Sequence, residues 1–222
     1  MTTDSLDEYL KETRYCDIHS QEIDDFYRAI GSRDTNEIAN LIFNFVRDSV
    51  KYRFDYPWVK ASETLRKKTG NCFNKANLQI ALLRRAGIPA GYGVYLVHKE
   101  ILKPILPPDI YLLVNQPTVH VFAKLFIHNR WVNLDATVDF ELFQCFYNNS
   151  SIWSHTHWDG LSDISLDKSF VVEDQGVYAN IDLYLSQPPK FWTDNLIQKA
   201  NCFIEQTIKK MKKEQNDGKS HK

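Results

Sequence analysis

Residues 70–93, GNCFNKANLQIALLRRAGIPAGYG, constrain the fold more than any other stretch of the chain. Phe73, Ala76, Ile80 and Leu83 recur at the spacing of one helical face. Leu78, Ala81 and Leu82 put apolar surface on other faces, so this helix is expected to be buried on most sides. Gly87 suits a helix C-terminus and Pro89 prevents continuation, after which YGVYLV reads as a strand. A helix enclosed in this way needs other elements around it. The chain can supply them: 222 residues, 43% of them hydrophobic and 25% charged, are the values of an ordinary globular protein with a sizeable core. The length favours a single domain over residues 1–222.

The flanking sequence reads as helices first and strands later. Helices are expected over 5–16 (SLDEYLKETRYC), over 20–31 with Gly31 as the terminating residue, and over 35–50. In the last of these Ile38, Leu41, Ile42, Phe45 and Val46 fall three and four apart. KYRFDYPW then breaks the pattern at Pro57 in an aromatic-rich loop. Residues 98–118 hold four prolines and no clean period, which is long for a plain connection, so a lid beside a site is expected there. VHVFAKLFI and RWVNLDATV alternate as strands about a turn at His128-Asn129. Residues 140–190 are mixed, with an aromatic patch, SSIWSHTHWDG, and a Pro188-Pro189 pair. Leu196, Ala200, Phe203, Ile204, Ile208 and Met211 return to helical spacing. From Lys209 the tail carries six lysines against two acids and is expected to fray. The fold class is therefore α+β.

Several classes of function are disfavoured at this level. A net charge of −1 advertises no nucleic-acid partner. No stretch approaches the ~18 apolar residues of a membrane span, and the acidic start has no apolar segment of a signal peptide. A cytoplasmic location is the expectation, with export independent of a cleavable signal left open. Cys16, Cys72, Cys145 and Cys202 lie far apart without a CxxC, against both structural zinc and a dense disulfide framework. Neither a metal nor an organic cofactor is expected. Gly87, Gly91 and Gly93 lack the Lys-Ser/Thr ending of a phosphate loop.

The thiol on the first turn of the buried helix is the chemical question. A cysteine attacks as thiolate, and a helix N-terminus favours that anion through its unpaired N–H groups and dipole. A lone cysteine is more often a small buried hydrophobe. A base can be looked for on the strands. His120 shares a strand face with Phe122 and Lys124. With His128 and Asn129 as the two turn residues, Ile127 pairs with Arg130, Phe122 with Asp135 and His120 with Thr137. His120 and Asp135 are then diagonal neighbours on one face, roughly 5.5–8 Å apart at Cβ. Thiol, imidazole and carboxylate in these places make a nucleophile, its base and the base's orienter.

GNCFNKANLQIALLRRAGIPA followed by HVFAKLFIHNRWVNLDATVD resembles the core of the transglutaminase-like superfamily, a papain-like cysteine fold. HWDGLSDISL is similar to the later part of stand-alone bacterial members. The resemblance covers about residues 40–165. It implies Cys72 as nucleophile, His120 as base and Asp135 as orienter. It also implies a cysteine-bearing helix packed on an antiparallel sheet, and acyl transfer on an amide by hydrolysis or transamidation. Partners would be a protein, a peptide or a small amide substrate. Phe122 stands where the family often has Trp, and no second barrel domain or calcium-site pattern of the large animal enzymes is present. The rival reading is a non-catalytic protein- or peptide-binding module that keeps the fold.

Two further groups stand out. His155 and His157 with Asp159 could belong to a metal site, or simply to a polar loop, since no further ligand has convincing spacing. Tyr52, Phe54, Tyr56 and Trp58 precede the cysteine and could wall an acyl site or supply an oxyanion donor, or be ordinary core aromatics.

Overall fold

The computed structural model describes residues 6–31, 33–186 and 192–219, with the backbone alone for 215–219. The helix expected over 5–16 reduces to a single 3-10 turn, Asp7–Leu10. No side chain caps that turn, and the chain beyond it is held elsewhere: Thr13 Oγ1 donates to Asp182 at 3.0 Å and the Arg14 N–H at 2.8 Å. Long-range contacts have replaced a local helix. The next two helices follow their sequence signals. α1 (Gln21–Ile30) stops at Gly31, whose φ of 69° favours glycine. α2 (Thr35–Asn44) is capped by Asp34, which accepts the Glu37 N–H at 2.9 Å. It widens into a π turn, Phe45–Ser49, that presents the carbonyls of Arg47 and Val50 to Lys75.

β1 (Lys51–Tyr52), α3 (Ala61–Lys67) and β2 (Thr69–Gly70) lead to α4 (Cys72–Arg85), with β1 and β2 paired in parallel. α4 is the buried helix foreseen from its pattern, and it is buried more completely than its apolar residues require. Asn74, Lys75, Asn77, Gln79 and Arg84 are enclosed along with the leucines. β3 (Ala90–Val97) follows Pro89.

The Pro-rich segment folds into a 3-10 stretch, Lys99–Ile105, and the short α5 (Pro108–Tyr111). β4 (Thr118–Ile127) and β5 (Arg130–Leu134) form the expected hairpin. Ile127 pairs with Arg130, and His128 and Asn129 take φ of 51° and 60°, the left-handed pair that a two-residue hairpin turn demands. α6 (Phe140–Leu142), β6 (Val171–Tyr178), α7 (Asp182–Leu185) and α8 (Asp194–Lys219) complete the chain. The Pro188-Pro189 pair lies outside the described residues. The helix of α8 runs on through the lysine-rich stretch to Lys219; Ile208 is buried and Lys212 pairs with Glu141.

The sheet has the order β5-β4-β3-β6, antiparallel throughout. Its alternation separates two cores. Val121, Ala123 and Leu125 pack in one cluster with α4, α1 and α2. Phe122, Tyr95 and Val97 belong to a second cluster that contains Ala200, Ile204 and Ile208 of α8. This is the α+β arrangement of a cysteine-bearing helix on an antiparallel sheet. No described helix is long and apolar enough to cross a membrane.

Lys75 gives this packing a pH signature. Burial pulls its pKa down to about 8 from 10.5, against the opposing pull of the Asp139 carboxylate. Between those values the unfolded chain binds more protons than the native one, so the Lys75 contribution to stability rises with pH. The stability difference between the native protein and Lys75→Met should therefore move in favour of the native protein from about pH 8 to 10.5, measured by urea unfolding. A difference that stays constant across this range would show that Lys75 is not desolvated.

Candidate active site

The helix start sets the place of Cys72. Asn71 Oδ1 accepts the N–H groups of Phe73 at 3.0 Å and Asn74 at 3.3 Å, and Asn74 Oδ1 accepts that of Asn71 at 3.0 Å. This reciprocal capping box is anchored outward. Asn71 Nδ2 donates to the Asp55 carbonyl at 2.7 Å and Asn74 Nδ2 to that of Tyr56 at 2.9 Å, tying the aromatic loop to the helix. A Cβ on Gly70 would come within 2.6 Å of Asn74 Cβ, so glycine is required there. The cap takes the amides of Phe73 and Asn74 and not that of Cys72. Cys72 is half-buried at the positive end of the helix.

His120 lies on β4 opposite Tyr95, with its side chain almost fully enclosed. Its Nε2 is 2.6 Å from Asp135 Oδ2. Phe122 stacks alongside the ring at 5.7 Å and Trp153 meets it edge-on at 5.4 Å. The Phe122 ring in turn lies across β3 at Gly93, where a Cβ would approach it to 2.6 Å. A side chain at position 93 would thus displace the support of the imidazole.

Asp135 follows β5 directly. Its Oδ1 accepts the Thr137 N–H at 2.9 Å, so both carboxylate oxygens are engaged. Its own N–H donates to the Ile164 carbonyl at 2.9 Å, and the Ile164 N–H to that of Asn133 at 2.8 Å. The HWDGLSDISL segment is what holds this strand end: Asp163 accepts the Asn133 N–H at 2.9 Å, and buried Trp158 donates to the Ser162 carbonyl at 2.9 Å.

The electrostatics follow from this packing. Burial pushes the His120 pKa down, but the hydrogen-bonded Asp135 carboxylate outweighs it, and the adjacent Cys72 adds to the upward pull. The net direction is upward, to about 10, so His120 is an imidazolium at neutral pH. Nε2 is committed to Asp135, which leaves Nδ1 for Cys72. The other thiols differ: burial pushes Cys16 up to about 11, Cys145 is also raised by burial, and Cys202 is exposed.

Cys72 and His120 open on a cavity of about 170 Å³. Tyr52 and Phe54 of the aromatic loop wall it, whereas Tyr56 and Trp58 do not. Those two stack on one another at 4.6 Å, and the Tyr56 hydroxyl donates to Asp194 at 2.7 Å. The Pro-rich segment contributes Ile101, Ile105 and Val114. Tyr147, Trp153 and Tyr184 also line it. The aromatic patch around Trp153 was a visible signal for one of them, and no pattern marked Tyr147 or Tyr184. His155 and Asp159 are drawn apart, His155 to Asp48 at 3.1 Å and Asp159 to Ser162 and Leu161. Among the described residues no three His, Cys, Asp or Glu side chains are grouped to hold a metal ion.

Comparison with protein families matches residues 24–136 to the transglutaminase-like superfamily, a span that contains Cys72, His120 and Asp135. No curated protein matches the chain. A similar solved structure is that of a Cytophaga hutchinsonii protein provisionally described as a cysteine protease. It is 24% identical with a TM-score of 0.45, over 62% of this chain and 43% of that one. The present chain thus spans less than half of that protein's length.

The pairing of His120 with Asp135 can be tested directly. In Asp135→Asn only Cys72 is left to oppose burial, so His120 should titrate well below the value of about 10 that it has in the native protein. Nitrogen-15 NMR of the histidine rings reads both values. A His120 that stays protonated at pH 8 in the variant would remove Asp135 as the cause.

Proposed function

We propose, since the chain belongs to the transglutaminase-like superfamily and so to the cysteine-dependent hydrolases and transferases, that it transfers the acyl group of an amide through Cys72, His120 and Asp135. The observation that carries this reading is the buried His120–Asp135 bond of 2.6 Å beside a thiol at a helix start. In this reading the Cys72 thiolate attacks the amide carbonyl carbon and the π electrons move onto oxygen. The imidazolium of His120 gives its Nδ1 proton to the amine as the C–N bond breaks, leaving a thioester on Sγ. Neutral His120 then takes a proton from water, whose oxygen attacks the thioester. Release of the carboxylic acid returns the thiolate–imidazolium pair. Asp135 holds the ring in place throughout and favours its charged form.

In this reading two groups donate to the developing oxyanion. One is the Cys72 N–H, which the cap leaves unused. The other is the Tyr52 hydroxyl: Tyr52 lines the cavity and lies near enough to Cys72 for Cys72 to act on its phenol electrostatically. Burial, with Cys72 and Tyr147 adding, holds the Tyr52 pKa well above 10, so the hydroxyl stays a donor. Its backbone N–H is fixed by buried Asp139 at 2.8 Å, and β1 pairs it with Gly70, beside the helix start. In this reading water, rather than an amine, resolves the thioester.

Exposure to a pool of peptides and small amides should leave a mass adduct on Cys72 and on none of the other three thiols, and Cys72→Ser should abolish it. If no donor ever labels Cys72 and its thiol is inert near neutral pH, the binding-module reading replaces this one. With an accepted amide and a millimolar primary amine present, the hydrolysed acid should remain the main product. Mostly amine-bearing product would make the protein a transamidase. Tyr52→Phe should lower kcat by roughly 100-fold with little change in KM, the loss expected for one oxyanion donor. An unchanged kcat would assign the hydroxyl no such role.

A further inference from the structure

The cavity wall is specific about what it can accept. Among the described residues no Lys, Arg, Asp or Glu side chain lines it. Its phenols are kept neutral, since burial raises Tyr52, Tyr147 and Tyr184 alike. Several of its polar groups are already spent. Asn71 is consumed by the helix cap and the Asp55 carbonyl, and the Tyr147 hydroxyl donates to the Ile101 carbonyl at 2.7 Å. What remains in depth is mainly aliphatic and aromatic: Phe54, Ile105, Val114, Val138 and Leu142 are all buried, with Thr137 and the Trp153 indole N–H as the buried uncharged polar groups among them. An exposed Asn115 and a half-buried Thr118 line it as well, on the Pro-rich segment and at the start of β4.

Apolar side chains stand exposed in two segments that contribute to the cavity wall. Leu112 and Leu113 are 75% and 52% exposed immediately before Val114. Leu183 and Tyr184 are 84% and 48% exposed on α7, and the Tyr184 ring stacks on Phe73, next to Cys72, at 5.7 Å. Large exposed apolar groups bordering a concave apolar site mark a binding surface. The volume sets the scale: a dry apolar cavity of ~150 Å³ is enough to take up benzene, and this one holds about 170 Å³.

We propose that this cavity is the acyl subsite and takes an uncharged, apolar acyl group of about one benzene ring or a branched aliphatic chain, such as phenylacetyl or isovaleryl. The inference rests on the acyl-transfer reading for which chain chemistry enters, and on the cavity alone for what can bind. A charged acyl group would be desolvated against a wall whose one charged group, His120, is already engaged by Asp135 and Cys72. A small acyl group would leave the space unfilled.

Two measurements separate this inference from the reading it rests on. The first uses the native protein without turnover: NMR titration with phenylacetamide, isovaleramide, succinamate and acetamide. Phenylacetamide and isovaleramide should shift resonances of Val114 and Val138, and succinamate and acetamide should bind at least about tenfold more weakly. Equal or tighter binding of succinamate overturns the proposal, whatever the chemistry of Cys72. The second uses 4-nitrophenyl esters of the same acyl groups, with acylation of Cys72 followed by mass. Phenylacetyl should react roughly 100-fold faster than succinyl after correction for intrinsic ester reactivity. Val114→Phe should cut the phenylacetyl rate while sparing acetyl, and Val138→Leu gives a milder filling of the same space should the first variant fold poorly. Fast acylation by succinyl would overturn the subsite and leave the nucleophile standing. Binding of phenylacetamide with no acylation by any ester would support the subsite and overturn the enzyme reading.

Discussion

The polar side chains of α4 hold this molecule together by donating to backbone carbonyls from all around the helix. Lys75 Nζ reaches Arg47 and Val50 at 3.1 and 2.7 Å. Asn77 Nδ2 reaches Tyr15 at 2.8 Å, and its Oδ1 accepts the Tyr92 hydroxyl at 2.6 Å. Gln79 Nε2 reaches Leu134 at 2.9 Å, and the Arg84 guanidinium gathers Ala90, Lys11 and Ala179. These carbonyls lie in loops, at the π turn or at strand ends. Leaving one such buried group unmet costs about 1–3 kcal/mol, so the helix specifies where the π turn, the N-terminal segment, the strand end and the β6 exit must lie. A wholly apolar α4 would bury as much surface and would fix none of these positions.

The site inherits its order from that helix. Gln79 holds the Leu134 carbonyl, one residue before Asp135, and the Asn71–Asn74 cap holds the loop that carries Tyr52 and Phe54. The thiol, the carboxylate and the cavity wall are therefore referenced to one rigid element. Burial then makes the electrostatics strong. His120 and Asp135 are shielded from water, so one carboxylate is enough to override the desolvation of the imidazole and keep it charged. Cys16, fully buried in an apolar cluster, has its thiol pushed up to about 11 by that burial.

The hairpin shows how far local pattern reaches. Alternation over 119–138 and a two-residue turn at His128-Asn129 determine which residues share a face, because a slip of one residue would move His120 and Asp135 to opposite sides. Their juxtaposition was legible for that reason. The thiol's position at a helix start was legible from Gly70, Asn71 and the apolar period that follows. By contrast, the helix expected over 5–16 gives way to one 3-10 turn because Thr13 and Arg14 bond to Asp182, about 170 residues away. Propensity had no access to that partner.

What the sequence alone determined, then, is the set of features whose information is periodic or adjacent: the buried helix and its stop, the hairpin register, the α+β class, the place of Cys72 at a helix start and that of His120 beside Asp135. Tertiary structure decided the rest. Tyr147, Trp153 and Tyr184 reach the cavity from three separate elements, and Asp163 and Ile164 brace Asp135 from a segment with no regular period. The burial of Lys75, Gln79 and Arg84 was equally invisible, since polar residues on a helix read as its solvated face. Their carbonyl partners are distant in sequence, and only the closed packing of the chain brings donor and acceptor together and makes the bond worth more than hydration.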